Sequence, residues 1–227
     1  MIELAMWNLS IPVGVPATTI ETRVLAGGYQ DHYFQSKDGA IFFWSPVNGT
    51  TTENAKYPRS ELRETYADGS LRNWTYPGAD HFLRAALSVS QVPSTGKIVI
   101  GQIHAYKSSM PLLKLEYQYK AHTQSGNIVA KVRLRPEAEI QTVTLATGIA
   151  LDQRFTYVVH LTPKGTLVIN LNASKWGTRL DSGWAQKPLY FKAGVYTQDN
   201  TGYETEAGAA RFDKLLIEHR ALLSATP

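Results

Sequence analysis

The stretch Leu189-Tyr-Phe-Lys-Ala-Gly-Val-Tyr-Thr-Gln198 decides how this chain folds. In a β-strand successive side chains point to opposite faces. Alternation therefore puts Tyr190, Lys192, Gly194, Tyr196 and Gln198 on one face and Phe191, Ala193 and Val195 on the other. The apolar underside calls for a core, while the upper face holds a lysine between two tyrosines. Gly194 is expected to leave an open spot where a ligand or a neighbouring side chain approaches closely.

Two other segments divide in the same way. In Tyr57-Pro-Arg-Ser-Glu-Leu-Arg-Glu-Thr-Tyr66, Arg59, Glu61 and Arg63 share a face, and Ser60, Leu62 and Glu64 share the other. A carboxylate between two arginines can accept from both guanidinium forks and hold them for planar recognition of an acidic group. A charged, solvated strand would read the same way. In Lys97-Ile-Val-Ile-Gly-Gln-Ile-His-Ala-Tyr106 an apolar run ends at Gly101, after which Gln102 and His104 point one way and Ile103 the other. Gln102 can donate to a carboxylate and His104 titrates near neutrality, which suits a general base; a satisfied structural histidine is the plainer alternative.

Outward from these strands, turn signals recur at short intervals: Gly27-Gly28, Lys37-Asp38-Gly39, Asn48-Gly49, Ala67-Asp68-Gly69, Thr95-Gly96, Lys164-Gly165 and Asp181-Ser182-Gly183. Between them lie segments rich in β-branched and aromatic residues at 40–44, 83–89, 97–104, 113–119, 128–134, 156–161 and 167–172. That rhythm predicts an all-β sandwich or barrel. Only 18–25 carries a hint of helical period. No repeat or linker divides the chain, so residues 1–227 are expected to form one domain. The longest irregular stretch, 45–58, is polar and leads into Arg59, as a site wall or lid would.

Of the 227 residues 43% are hydrophobic and 19% charged, the balance of a folded protein. A formal charge of +4 favours an anionic partner. The absence of cysteine excludes disulfides, thiolate nucleophiles and cysteine-ligated zinc. The start MIELAMWNLSIPVG has no basic leader followed by an apolar stretch, and no run is apolar enough for a membrane helix. If Met1 is the native start, the expected compartment is cytoplasmic; a trimmed chain would be periplasmic or secreted.

The motifs RSELRE (59–64), QIH (102–104) and YFKAGVYTQ (190–198), in that order, resemble the three signature motifs of the polysaccharide lyase family 7 alginate lyases. The opening WNLSIP and the stretch from Phe43 to Arg63 are similar to that family as well. The resemblance implies a β-sandwich jelly roll whose concave sheet binds an acidic polysaccharide, alginate, and cleaves it by β-elimination without a cofactor or metal. Arg59 and Gln102, with His104 nearby, would bind the sugar carboxylate. Tyr196 would protonate the departing oxygen, and His104 or Tyr196 would take the C5 proton. Glu61, Arg63, Tyr190, Lys192 and Gln198 would support or bind substrate, with Arg63 or Lys192 lowering the tyrosine pKa and giving a neutral to alkaline optimum. Isoleucine in QIH is associated with guluronate-containing or mixed blocks.

Other readings weigh less. A glycoside hydrolase needs two carboxylates flanking the bond, and these faces show Glu61 alone. A non-catalytic binding module for acidic polysaccharide would carry a similar groove without needing the Tyr, His, Gln and Arg set, and a lyase for another polyuronate would share it. Nucleic acid would call for a denser basic stripe, so neither it nor a membrane is expected as partner. The chain is expected to act as a monomer.

Overall fold

The structure, a computed structural model, describes residues 2–222. Two antiparallel sheets pack face to face as a β-sandwich jelly roll. The first is eight-stranded, in the order β10 (Gln141–Ile149), β9 (Ser125–Val132), β8 (Leu113–Lys120), β7 (Lys97–Ala105), β14 (Leu189–Thr197), β5 (Arg59–Glu64), β1 (Trp7–Ser10) and β2 (Thr19–Ile20). The second is seven-stranded: β13 (Ser174–Arg179), β12 (Thr166–Leu171), β11 (Phe155–Leu161), β6 (Ala79–Gln91), β15 (Ala207–Ala221), β4 (Ala40–Pro46) and β3 (Phe34–Lys37). The helical hint at 18–25 resolves into β2 and one short helix, Thr22–Ala26.

The apolar halves of the alternating strands meet between the sheets. Leu62, Ile98, Ile103, Phe191 and Val195 from the first sheet join Phe43, Leu83, Leu87, Phe155, Val159 and Phe212 from the second in one cluster. Phe43 meets Phe212 edge to face at 5.3 Å. Each fully buried Phe, Leu or Ile adds roughly 1.5–3 kcal/mol, so this core carries a cysteine-free chain without cross-links.

Two irregularities set which residues face outward. On β7, Val99 pairs with Glu116 but Gly101 pairs with the adjacent Leu115, leaving Ile100 as an extra residue. Simple alternation back from Gln102 would turn Ile100 and Ile98 outward; this bulge returns both to the core, where they are fully buried. The Tyr157 hydroxyl reaches across from β11 and donates to the Ile100 carbonyl at 3.0 Å. A Cβ on Gly101 would lie 2.6 Å from that hydroxyl oxygen, so this glycine makes room for the tyrosine.

β14 is irregular against β7 between Ala193 and Tyr196, where Gly194 takes φ +144°. A Cβ there would lie 2.7 Å from the Ser60 carbonyl and 3.2 Å from the Phe43 ring. The close approach expected at Gly194 is therefore made by the β5 backbone and the core below. It is not an opening for ligand.

Candidate active site

The sheet order places β7, β14 and β5 side by side. Tyr190 pairs with His104, Lys192 with both Gln102 and Arg63, and Tyr196 with Arg59. A cleft of about 760 Å³ opens over this meeting point. Arg59, Gln102, His104, Tyr190, Lys192 and Tyr196 line it, so six of the residues singled out in the sequence meet there. Its walls are Thr52–Lys56, from the irregular stretch before β5, and Lys107–Ser109 with Pro111 after β7.

Glu61 lies beneath the cleft floor, fully buried. It accepts from Arg59 Nη1 at 2.8 Å, Lys192 Nζ at 2.5 Å and Gln102 Nε2 at 2.5 Å. Burial alone would raise its pKa, but the Lys192 and Arg59 charges and the Lys192 and Gln102 hydrogen bonds outweigh that and hold it down at about 2. Glu61 is thus a fixed anion that orients three donors. Burial, then Arg59, pulls Lys192 down to about 8 against the opposing pull of Glu61.

The second arginine of RSELRE does not share that carboxylate. Arg63 donates to the carbonyls of Glu64 and, at 2.9 Å, Arg72, and to Asn73 Oδ1 at 2.5 Å. Its guanidinium carbon sits 3.9 Å from the Tyr190 ring centroid, and it is absent from the cleft lining. Alternation found its face correctly, but the partners come from the hairpin that follows β5. Gln198 also lies off the lining, its Nε2 donating to the Tyr196 carbonyl at 3.3 Å.

His104 Nδ1 lies 2.9 Å from the Ala105 carbonyl. A carbonyl can only accept, so Nδ1 carries the hydrogen and Nε2 keeps its lone pair. Burial, followed by the Lys192 and Arg59 charges, lowers the His104 pKa to about 4, so the ring is neutral over the physiological range. Tyr190 stacks on it at 5.4 Å.

Tyr196 has the opposite bias. The Arg59 guanidinium carbon lies 3.8 Å from its ring centroid, and Lys114 Nζ lies 5.4 Å from it. Burial raises its pKa above the ordinary phenol value despite Arg59. The expected lowering by Arg63 or Lys192 is therefore overturned: the nearest cation is Arg59, and burial is the larger influence. Tyr196 is a protonated phenol.

Lys114 was passed over in the sequence. It lines the cleft from β8, opposite Gln102 in register, and burial lowers its pKa. The alternation of Leu113, Leu115 and Tyr117 inward against Lys114 and Gln118 outward was a signal available to find it. No group of three or more metal-ligating side chains occurs among the described residues.

A family described as alginate lyase matches residues 2–219. The alginate lyase of Klebsiella pneumoniae is 30% identical over 278 residues, covering 96% of this chain and 90% of that protein. An alginate lyase of Pseudomonas aeruginosa superposes with a TM-score of 0.92 at 44% identity, over 96% of this chain and 99% of that one. Alginate lyase A1-II′, described as a member of polysaccharide lyase family 7, superposes with a TM-score of 0.87 at 31% identity, over 97% of each chain.

Proposed function

The chain belongs to the polysaccharide lyase family 7 alginate lyases, and from that premise we propose that it cleaves alginate by β-elimination with His104 as base and Tyr196 as acid. The observation that carries this assignment is the pairing of protonation states in one cleft: a neutral imidazole with a free Nε2 and a protonated phenol.

Elimination breaks the C5–H and C4–O bonds of a uronate and forms the C4–C5 double bond. The C5 proton becomes acidic only when the adjacent carboxylate is neutralised. Arg59 and Gln102 each give one hydrogen bond to Glu61 and keep other N–H groups for that carboxylate. They stabilise the enolate-like intermediate as fixed donors, an electrostatic role that needs no reorganisation during the reaction. His104 Nε2 takes the C5 proton, and the Tyr196 hydroxyl gives its proton to the departing O4.

Separate acid and base suit guluronate, whose C5 hydrogen and O4 leave from opposite faces of the ring. In mannuronate both groups lie on one side, and Tyr196 would have to serve as base as well, a role its raised pKa opposes. Together with isoleucine in QIH, this favours guluronate-containing or mixed blocks.

The test is ultraviolet absorbance on adding polyguluronate, polymannuronate and mixed-block alginate in parallel, because elimination creates a conjugated unsaturated uronate and hydrolysis does not. A rise with guluronate-containing blocks is expected. Binding without a rise on any block would leave a binding module and overturn the lyase reading.

A further inference from the structure

Beneath the cleft, on the core side of β5, lies a second buried carboxylate that the elimination does not use. Glu64 is fully buried. Its Oε2 accepts from Trp74 Nε1 at 2.9 Å and from the Phe191 backbone N–H at 3.0 Å. Its Oε1 accepts from His219 Nε2 at 2.6 Å, with Arg72 Nε at 3.5 Å. Behind it His219 Nδ1 meets His81 Nδ1 at 2.6 Å, and His81 stacks on Trp74 at 4.0 Å. The two histidines stand on β15 and β6, so the chain of contacts joins the second sheet to the catalytic one.

The Phe191 contact gives this cluster its meaning. The β14–β5 ladder pairs Tyr196 with Arg59 through Lys192 with Arg63 and stops there. One step on, Phe191 stands opposite Glu64, and its N–H goes to the Glu64 side chain instead of a ladder carbonyl. Beyond it, Leu189 bridges to Trp74, which Glu64 also holds. Tyr190 and Lys192, on either side of Phe191, both enter the cleft: Tyr190 stacks on His104, and Lys192 holds Glu61. An apolar side chain could fill the same volume without the cost of burying a charge, but it could not satisfy that N–H.

We propose that Glu64 is a positioning residue for the elimination: backed by His219 and His81, it fixes β14 at Phe191 and so sets Tyr190, Lys192 and, through them, His104 and Glu61. The inference rests on the lyase reading for its kinetic readout only. One hydrogen lies in the Glu64–His219 contact and one in the His219–His81 contact. In Glu64→Gln the amide oxygen can still accept from Phe191 and Trp74 while its NH₂ donates to His219 Nε2, which must then carry no hydrogen. Glu64→Leu offers no such route.

The experiment measures kcat and KM on guluronate-containing alginate, amide hydrogen exchange at Phe191, and histidine side-chain ¹⁵N shifts in wild type, E64Q and E64L. Glu64→Leu should lower kcat by about 10-fold or more with KM within about 3-fold, because misplacement of catalytic groups acts on turnover more than on a long binding surface. Phe191 exchange should quicken in E64L. Glu64→Gln should restore most of the turnover and of the protection, with the His219 Nε2 shift moved toward that of a nitrogen without a hydrogen. Wild-type kcat in E64L, or no recovery in E64Q, would overturn the proposal. If E64L does not fold, His219→Phe, which removes the Oε1 donor and the link to His81, is judged by the same two measurements. If wild type shows no elimination with any block, the lyase reading fails, and the exchange data alone judge the holding role: unchanged Phe191 protection in E64L refutes it.

Discussion

The Arg59 guanidinium carbon lies over the Tyr196 ring, 3.8 Å from its centroid, while its Nη1 binds Glu61 at 2.8 Å. One cation thus contacts the acid and the buried anion together. Cation–π contact orients the phenol without deprotonating it, because burial still holds its pKa up. Tyr196→Phe keeps the ring and this contact but loses the proton. It is expected to lower kcat by roughly 10²- to 10⁴-fold, the usual size of general acid–base catalysis, with alginate affinity largely intact by calorimetry.

Glu61→Gln leaves Lys192 and Arg59 facing each other over a neutral amide. Removing one member of a buried charge cluster typically costs about 3–5 kcal/mol. The expected result is a fall of that order in the unfolding free energy measured in urea, together with loss of turnover, because Arg59, Gln102 and Lys192 all lose the anion that orients them.

The rate profile should be bell-shaped in kcat/KM. Below about 4 His104 gains a proton and ceases to be a base, which sets the acid limb. Above about 8 Lys192 loses its charge and with it the salt bridge to Glu61, which sets the alkaline limb. Initial rates over the full range at constant ionic strength check both limbs.

Stability should follow pH on the acid side in one direction. His104 and His81 are both lowered by burial first, from the ordinary 6.5 to about 4. Between those values the unfolded chain therefore binds more protons than the folded one. Stability is fully present near neutrality and falls as pH drops through that window. His81→Gln should remove about half of this two-group dependence of Tm on pH.

Lys114 faces the cleft from a strand outside the three motifs. Lys114→Ala should raise KM for alginate by about 2- to 5-fold, the scale of a partly solvated ion pair, with little change in kcat. An unchanged KM would remove it from the binding surface.

Much of this architecture was legible from alternation alone. The faces of 59–64, 102–104 and, apart from Gly194, 189–197 are those seen; the strands at 83–89, 113–119 and 156–161 are present with extended ends, and that at 167–172 runs from Thr166 to Leu171. β15 went unread because Ala-Gly-Ala-Ala-Arg-Phe-Asp-Lys mixes small and charged residues. Its pairing with β6 also slips twice, between Ala209 and Ala210 and between Phe212 and Lys214, so no steady period survives. The Ile100 bulge was hidden for the same reason. Arg63 marks a different limit: periodicity gives a face, but the carbonyls of Glu64 and Arg72 that bind it are set by how a hairpin folds back.

The sheet order has a consequence for synthesis. β5 and β7 are made early, at residues 59–64 and 97–105, yet the strand that fills the gap between them, β14, begins only at Leu189. Until it emerges, the nascent chain presents two open strand edges flanking a slot one strand wide. Such edges are the surfaces on which chains pair wrongly with their neighbours. The late segment that completes the catalytic cleft therefore also pairs these two edges.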